Sequence, residues 1–177
     1  EHFGNPSSTH VYGKTSRAGI EAAREQVAQM LGCTPAQLVF TSGASESNNW
    51  VIRSVVEAAA EMPHLITSRI EHPSVLNTCR ALEKKGRCQL TVVGVDAECR
   101  VDPQEIQQAL RPNTALISLM HANNEAGTIQ PIAEVSALAS AFFGETDGAR
   151  PMSLTELQQA MAADEQLTLI DVRPGRE

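Results

Sequence analysis

The chain has 177 residues, 42% apolar and 3% aromatic, which is enough to bury the core of one ordinary domain. A net charge of −7, with arginines strung singly between acids, excludes a nucleic-acid surface. No run approaches the roughly 18 apolar residues of a membrane span.

The first residues, Glu1 to Ser8, lack the basic start and apolar run of a secretory signal, so the expected compartment is the cytoplasm. The chain starts at Glu1 rather than at a methionine, so residues are expected to precede it. In chain order, Ile20, Ala23, Val27, Met30 and Leu31 recur at helical spacing and predict a helix from Ser16 to Leu31, closed by Gly32. Leu38 to Thr41 reads as a short strand, and Ser45 opens a helix reaching about Glu61. Leu65 to Thr67 is the next strand, followed by a helix from Pro73 to Lys85 with Gly86 as its cap. Gln89 to Val95 is rich in strand formers, Asp102 and Pro103 start a helix reaching Leu110, and Ala115 to Leu119 is a near-continuous apolar strand. A polar loop then leads to a helix from Pro131.

Helices following strands at this cadence predict an α/β fold, a mostly parallel sheet with helices on both faces. The domain organisation read from composition is a first domain over 1–142, a linker over 143–151 and the start of a second module over 152–177. The module opens on a capping box, Ser153 with Glu156, and ends on the strand Leu167 to Val172. Cys33, Cys79, Cys88 and Cys99 stand far apart without a CxxC pair, so they read as reduced thiols and no metal site is expected.

Ligands of open α/β sheets collect at the carboxyl ends of strands. Three polar loops are expected there. In Thr41 to Asn49 a glycine and small hydroxyl residues open a helix, where free N–H groups and the helix dipole make a phosphate cradle; the plain alternative is Ser45 as an N-cap. Arg69 to Pro73 carries His72, which is otherwise an ordinary surface imidazole. Met120 to Thr128 carries Asn123 and Asn124, either turn residues or neutral donors for a ligand oxygen.

The runs FGNPSSTH (Phe3 to His10), FTSGASESNN (Phe40 to Asn49), ITSRIEHPSVLNTCRALEKKG (Ile66 to Gly86) and LISLMHANNEAGTIQPI (Leu116 to Ile132) closely resemble the cysteine desulfurases, fold-type I pyridoxal-phosphate enzymes of aminotransferase class V. The resemblance is nearly continuous from Phe3 to about Ala141 and implies a truncated large domain of that fold. It implies conversion of L-cysteine to alanine with sulfur transfer, pyridoxal 5'-phosphate as cofactor, a homodimeric parent, and a sulfur-acceptor protein as partner in iron–sulfur cluster assembly. Carried over by position, Ala44 and Ser45 would bind the cofactor phosphate. His72 would stack on the pyridine ring and assist proton transfer, the one catalytic role assigned, and Asn124 would donate to the phenolic oxygen. Asn5 and His10 fall in a segment that packs near the dimer interface in the family.

The family's Schiff-base lysine and nucleophilic cysteine have no counterpart. Lys14, Lys84 and Lys85 are the only lysines, and none of the four cysteines has the nucleophile's context. Met152 to Glu177 resembles the opening helix and strand of a rhodanese-like domain. The expected protein is thus a truncated or fused desulfurase fragment; the alternatives are a non-catalytic remnant or interaction module, and a selenocysteine lyase-like relative.

Overall fold

The structure, a computed structural model, describes residues 4–144; the second module and most of the linker lie outside those residues. The described residues fall into two compact units, one ending at Phe40 and one beginning at Thr41.

The first unit is built on α1 (Val11–Leu31). It starts five residues before the expected Ser16, because His10 caps it: His10 Nδ1 accepts the Gly13 N–H at 3.3 Å. Gly32 ends it at φ 69°, in the left-handed region that glycine enters without strain, and its N–H returns to the last turn. Gly13 answers a different need. A Cβ there would lie 2.5 Å from the Asn5 carbonyl oxygen, so only glycine lets the Asn5 to Ser8 turn close against the helix. A 3-10 turn, Pro35–Gln37, follows with a reciprocal Thr34–Gln37 capping box.

Leu38 to Thr41 is not a strand. A strand exists through its ladder, and no backbone partner runs beside this segment among the described residues. Instead Arg24 of α1 donates to the Leu38 carbonyl at 2.5 Å and lies over the Phe40 ring, 5.0 Å from its centroid.

The second unit holds α2 (Ala44–Ala58), β1 (His64–Ser68), α3 (Pro73–Lys84), β2 (Gln89–Val93), α4 (Pro103–Ala109), β3 (Thr114–Ser118) and α5 (Ile132–Gly144). The three strands are all parallel in the order β2-β1-β3, which confirms the α/β reading. Boundaries differ by a few residues. α2 stops at Ala58 because Ala59 turns extended, and α4 stops at Ala109 because Leu110 does the same. α5 runs on through Phe143 and Gly144, and Phe143 is buried in the core although composition placed it in the linker.

Alternate residues of β1 face opposite ways, and each side has its own core. Leu65 joins Leu116, Ile52 and Val56 of α2, and Val75, Cys79 and Leu82 of α3. Ile66 joins Ile117 and Val93 with Ile106 of α4 and Val135, Ala139 and Phe143 of α5. Helices therefore cover both faces of the sheet. Each fully buried Leu or Ile contributes about 1.5–3 kcal/mol relative to exposure. At the amino end of the strands, His64 is completely buried and spans both neighbours, with Nδ1 2.8 Å from Thr114 Oγ1 and Nε2 2.8 Å from Thr91 Oγ1.

Candidate functional site

The strand order creates a topological switch point at the carboxyl end of the sheet. The chain leaves β1 into α3 on one face and leaves adjacent β3 into α5 on the other, so their loops part over the β1–β3 junction. Such a switch point is where open α/β sheets take their ligands.

Glu71 joins the two sides of the switch point. One of its carboxylate oxygens accepts the Met120 N–H at 2.6 Å and the Ser68 hydroxyl at 3.2 Å, joining the ends of β3 and β1 from a buried position. Asn123 adds a second tie. Its Nδ2 donates to the Ile70 carbonyl at 3.2 Å, while Oδ1 accepts the N–H groups of Glu125 and Ala126 at 2.9 and 2.8 Å. That Asx turn shapes the loop, and a Gly127 φ of 73° and the Ala122–Ile129 bridge close it. With Asn123 consumed by the fold, its neighbour Asn124 is exposed and its amide carries no hydrogen bond to the described residues.

At the start of α2 the N-cap is Gly43, not Ser45, and no side chain caps the helix. The Gly43 φ of 160° is extended backbone, so the glycine is not required there by strain. The Gly43 carbonyl accepts the N–H groups of Glu46 and Ser47. The preceding donors, those of Ala44 and Ser45, have no partner among the described residues, and the Ser45 hydroxyl is likewise unbonded. Glu46 bends back to accept the Ser42 N–H at 2.6 Å, a bond that holds its pKa below the usual carboxylate value and fixes the loop. Thr41 and Ser47 hydroxyls meet at 2.8 Å behind it.

His72 caps α3. Its Nδ1 accepts the Ser74 N–H at 3.1 Å and lies 2.8 Å from the Ser74 hydroxyl, leaving the ring exposed. Asn48 of α2 donates to that hydroxyl at 2.7 Å, and Thr78 of α3 donates to Asn49 at 3.0 Å. The α2 and α3 N-termini are thereby clamped side by side. The three expected site loops are thus tied together: α2 to α3 through Asn48 and Ser74, and β1–α3 to β3–α5 through Glu71 and Asn123. Ser45, His72 and Asn124 stand on loops joined through these intermediaries, without a direct bond to one another among the described residues.

Glu71, Asn48 and Ser74 escaped the sequence reading. Only Glu71 carried a signal: a lone acid three residues past an apolar strand, where burial of a charge demands partners.

Two of the three lysines and two of the four cysteines lie away from these loops. Lys84 and Lys85 sit at the far end of α3, about 18 Å along a 12-residue helix from His72. Cys79 and Cys88 are buried, and burial pushes the Cys79 thiol up to about 12, with Cys88 next in effect. No group of three or more metal-ligating side chains occurs among the described residues.

Residues 1–149 match the family profile described as Aminotransferase class-V. The chain is 48% identical over 143 residues to the cysteine desulfurase IscS of Dictyoglomus turgidum, covering 80% of this chain and 36% of that protein. A solved structure titled "SspA in complex with cysteine" superposes with a TM-score of 0.71 at 43% identity, over 81% of this chain and 41% of its own. Another, titled "NIFS-like protein", gives 0.75 at 38% identity, over 87% and 45%. The chain spans about a third of the length of the curated relatives it matches. The parallel sheet, the loops that converge at its carboxyl end and these matches lead to one conclusion: the chain belongs to the aminotransferase class-V family, among relatives named cysteine desulfurases.

Proposed function

We propose that this chain carries the phosphate- and ring-facing part of a pyridoxal 5'-phosphate site in an enzyme that converts L-cysteine to alanine and hands the sulfur to an enzyme thiol. The observation that carries the reading is the α2 N-terminus, where the N–H groups of Ala44 and Ser45 and the Ser45 hydroxyl are unbonded among the described residues at a helix end that favours an anion. These groups fit a phosphate. His72 and Asn124, on loops tied to that helix, offer a flat ring and an uncommitted amide to the rest of the cofactor. When bound, the cofactor supplies an electron sink for the substrate's α-carbon.

In this reading the chain's residues bind and orient. Ala44 and Ser45 fix the phosphate end, His72 covers the ring face, and Asn124 donates to the phenolic oxygen. A sulfur-acceptor protein, a homodimeric parent, a cytoplasmic setting and a place in iron–sulfur assembly belong to the same reading. The family's Schiff-base lysine and nucleophilic cysteine have no counterpart in these residues, so the chain alone is expected to bind cofactor reversibly and not to turn over cysteine.

Equilibrium dialysis with pyridoxal phosphate tests this. Ser45→Ala and Asn124→Ala each remove a bond to a charged or strongly polar group, about 1.5–3 kcal/mol, and should weaken binding roughly tenfold or more. Equal binding by parent and variants would overturn the assignment. Alanine and sulfide formed from cysteine faster than with free cofactor, and lost in His72→Ala, would show that the chain is catalytically complete.

A further inference from the structure

We infer that Ser74 and Asn48 act as positioning residues that hold His72 in its Nε2–H tautomer, so that the exposed ring edge presents a donor. The inference deepens the cofactor-site reading and rests on it only for what the donor faces.

The argument starts from a donor that cannot reverse. A backbone N–H only donates, and the Ser74 N–H points at His72 Nδ1 at 3.1 Å, so that nitrogen holds a lone pair. The Ser74 hydroxyl is 2.8 Å from the same nitrogen. A hydroxyl accepts and donates, and Asn48 Nδ2 already donates into its oxygen at 2.7 Å. The hydroxyl proton is thereby turned toward Nδ1. Two donors converge on one nitrogen, and the ring's proton resides on the other. Asn48 is itself buried at the start of α2, and Ser74 is half-buried, so the relay is held by packing between the two helices. The order Asn48, Ser74, His72 runs from the proposed phosphate end of the site to its ring end.

His10 provides a comparison within the same chain. It caps α1 through the same nitrogen but among the described residues receives one donor, the Gly13 N–H at 3.3 Å, and no hydroxyl. A neutral hydrogen bond is worth about fivefold in an equilibrium. Two should favour the Nε2–H form of His72 by roughly 25-fold over the alternative, and one should favour that of His10 by about fivefold.

The test reads the tautomer directly, by long-range proton–nitrogen correlation of the imidazoles in the full, nitrogen-labelled chain without cofactor, above the pH range where imidazoles titrate. His72 should show an unprotonated Nδ1 and a protonated Nε2. Ser74→Ala keeps the backbone donor and should reduce the preference about fivefold, toward that of His10. Asn48→Ala should give an intermediate fall, and Ser74→Thr should restore the parental ratio. A His72 that is mainly Nδ1–H, or a ratio unmoved by Ser74→Ala while Ser74→Thr retains the parental amide spectrum, would overturn the inference. Neither readout involves pyridoxal phosphate. A correct tautomer with no cofactor binding would leave the relay standing and remove the proposed function.

Discussion

Replacing Asn123 and Asn124 by alanine, one at a time, should separate a structural amide from a ligand-facing one. Asn123 is 9% exposed, and its side chain satisfies the N–H groups of Glu125 and Ala126 and the carbonyl of Ile70. Alanine would leave those three groups without their side-chain partner. Each net bond is worth about 1 kcal/mol, and a group shut away from water costs about 1–3 kcal/mol. The loop is near the surface, so water can replace part of the loss, and about 2–3 kcal/mol of destabilisation is expected. In a chain of this size that lowers the melting temperature by about 4–12 °C. Asn124 is exposed and carries no bond to the described residues, so its alanine variant should fall within about 0.5 kcal/mol of the parent. Urea unfolding followed by circular dichroism measures both, and dialysis against pyridoxal phosphate reads the other half of the contrast. Asn124→Ala should lose affinity at unchanged stability. Equal destabilisation by the two substitutions, or a neutral Asn123→Ala, would refute the division of labour derived from the loop.

Acid should weaken the fold through His64, whose titration burial, and then Arg111, lower to about 4 from the ordinary 6.5. Above pH 6.5 both states are neutral there and nothing is lost. As the pH falls from 6.5 to 4 only the unfolded chain takes the proton, so stability drops by up to roughly 3 kcal/mol and then levels. The urea midpoint of His64→Gln should lose this part of the slope, and parallel curves would count against it. Gly43→Asp supplies the missing cap and should add a few tenths of a kcal/mol to stability. Its carboxylate would occupy the cradle, so dialysis should find phosphate-dependent cofactor binding at least about tenfold weaker, since a full hydrogen bond to a charged group is displaced. Unchanged binding would place the phosphate elsewhere. With iodoacetamide at pH 8, half-buried Cys33 and Cys99 should react before buried Cys79 and Cys88; peptide mapping that finds Cys79 first would show the core to be open.

Most of the second unit was legible because its signals are local. The apolar runs at Leu65 and Ala115 and the Asp102–Pro103 and His72–Pro73 helix starts each lie within a few residues. Where a local signal needs a distant partner, it misled: Leu38 to Thr41 has strand composition but no ladder, and Arg24, fourteen residues back, holds it instead. The N-cap at His10 was missed because histidine seldom caps a helix, and Gly43 was passed over for Ser45 because a glycine cap has no side chain to bond the first turn. The site loops were recognisable one by one, yet their convergence depends on β3 lying beside β1. The Glu71–Met120 bond spans 49 residues and Asn123–Ile70 spans 53, and no spacing in the sequence encodes either. The roles of Glu71 and Ser74 follow from that convergence, so they emerged only with the fold.

The central claim is that three loops form one cofactor-facing surface at the carboxyl end of the sheet. The most direct measurement is an amide-resolved nuclear magnetic resonance titration of the full chain with pyridoxal phosphate, compared with pyridoxal lacking the phosphate. Signals of Ala44 and Ser45, of His72, and of Asn123 and Asn124 should move together with a single dissociation constant, and the Ala44 and Ser45 shifts should disappear when the phosphate is absent. Shifts confined to Lys84 and Lys85, or separate constants for the three loops, would contradict the claim.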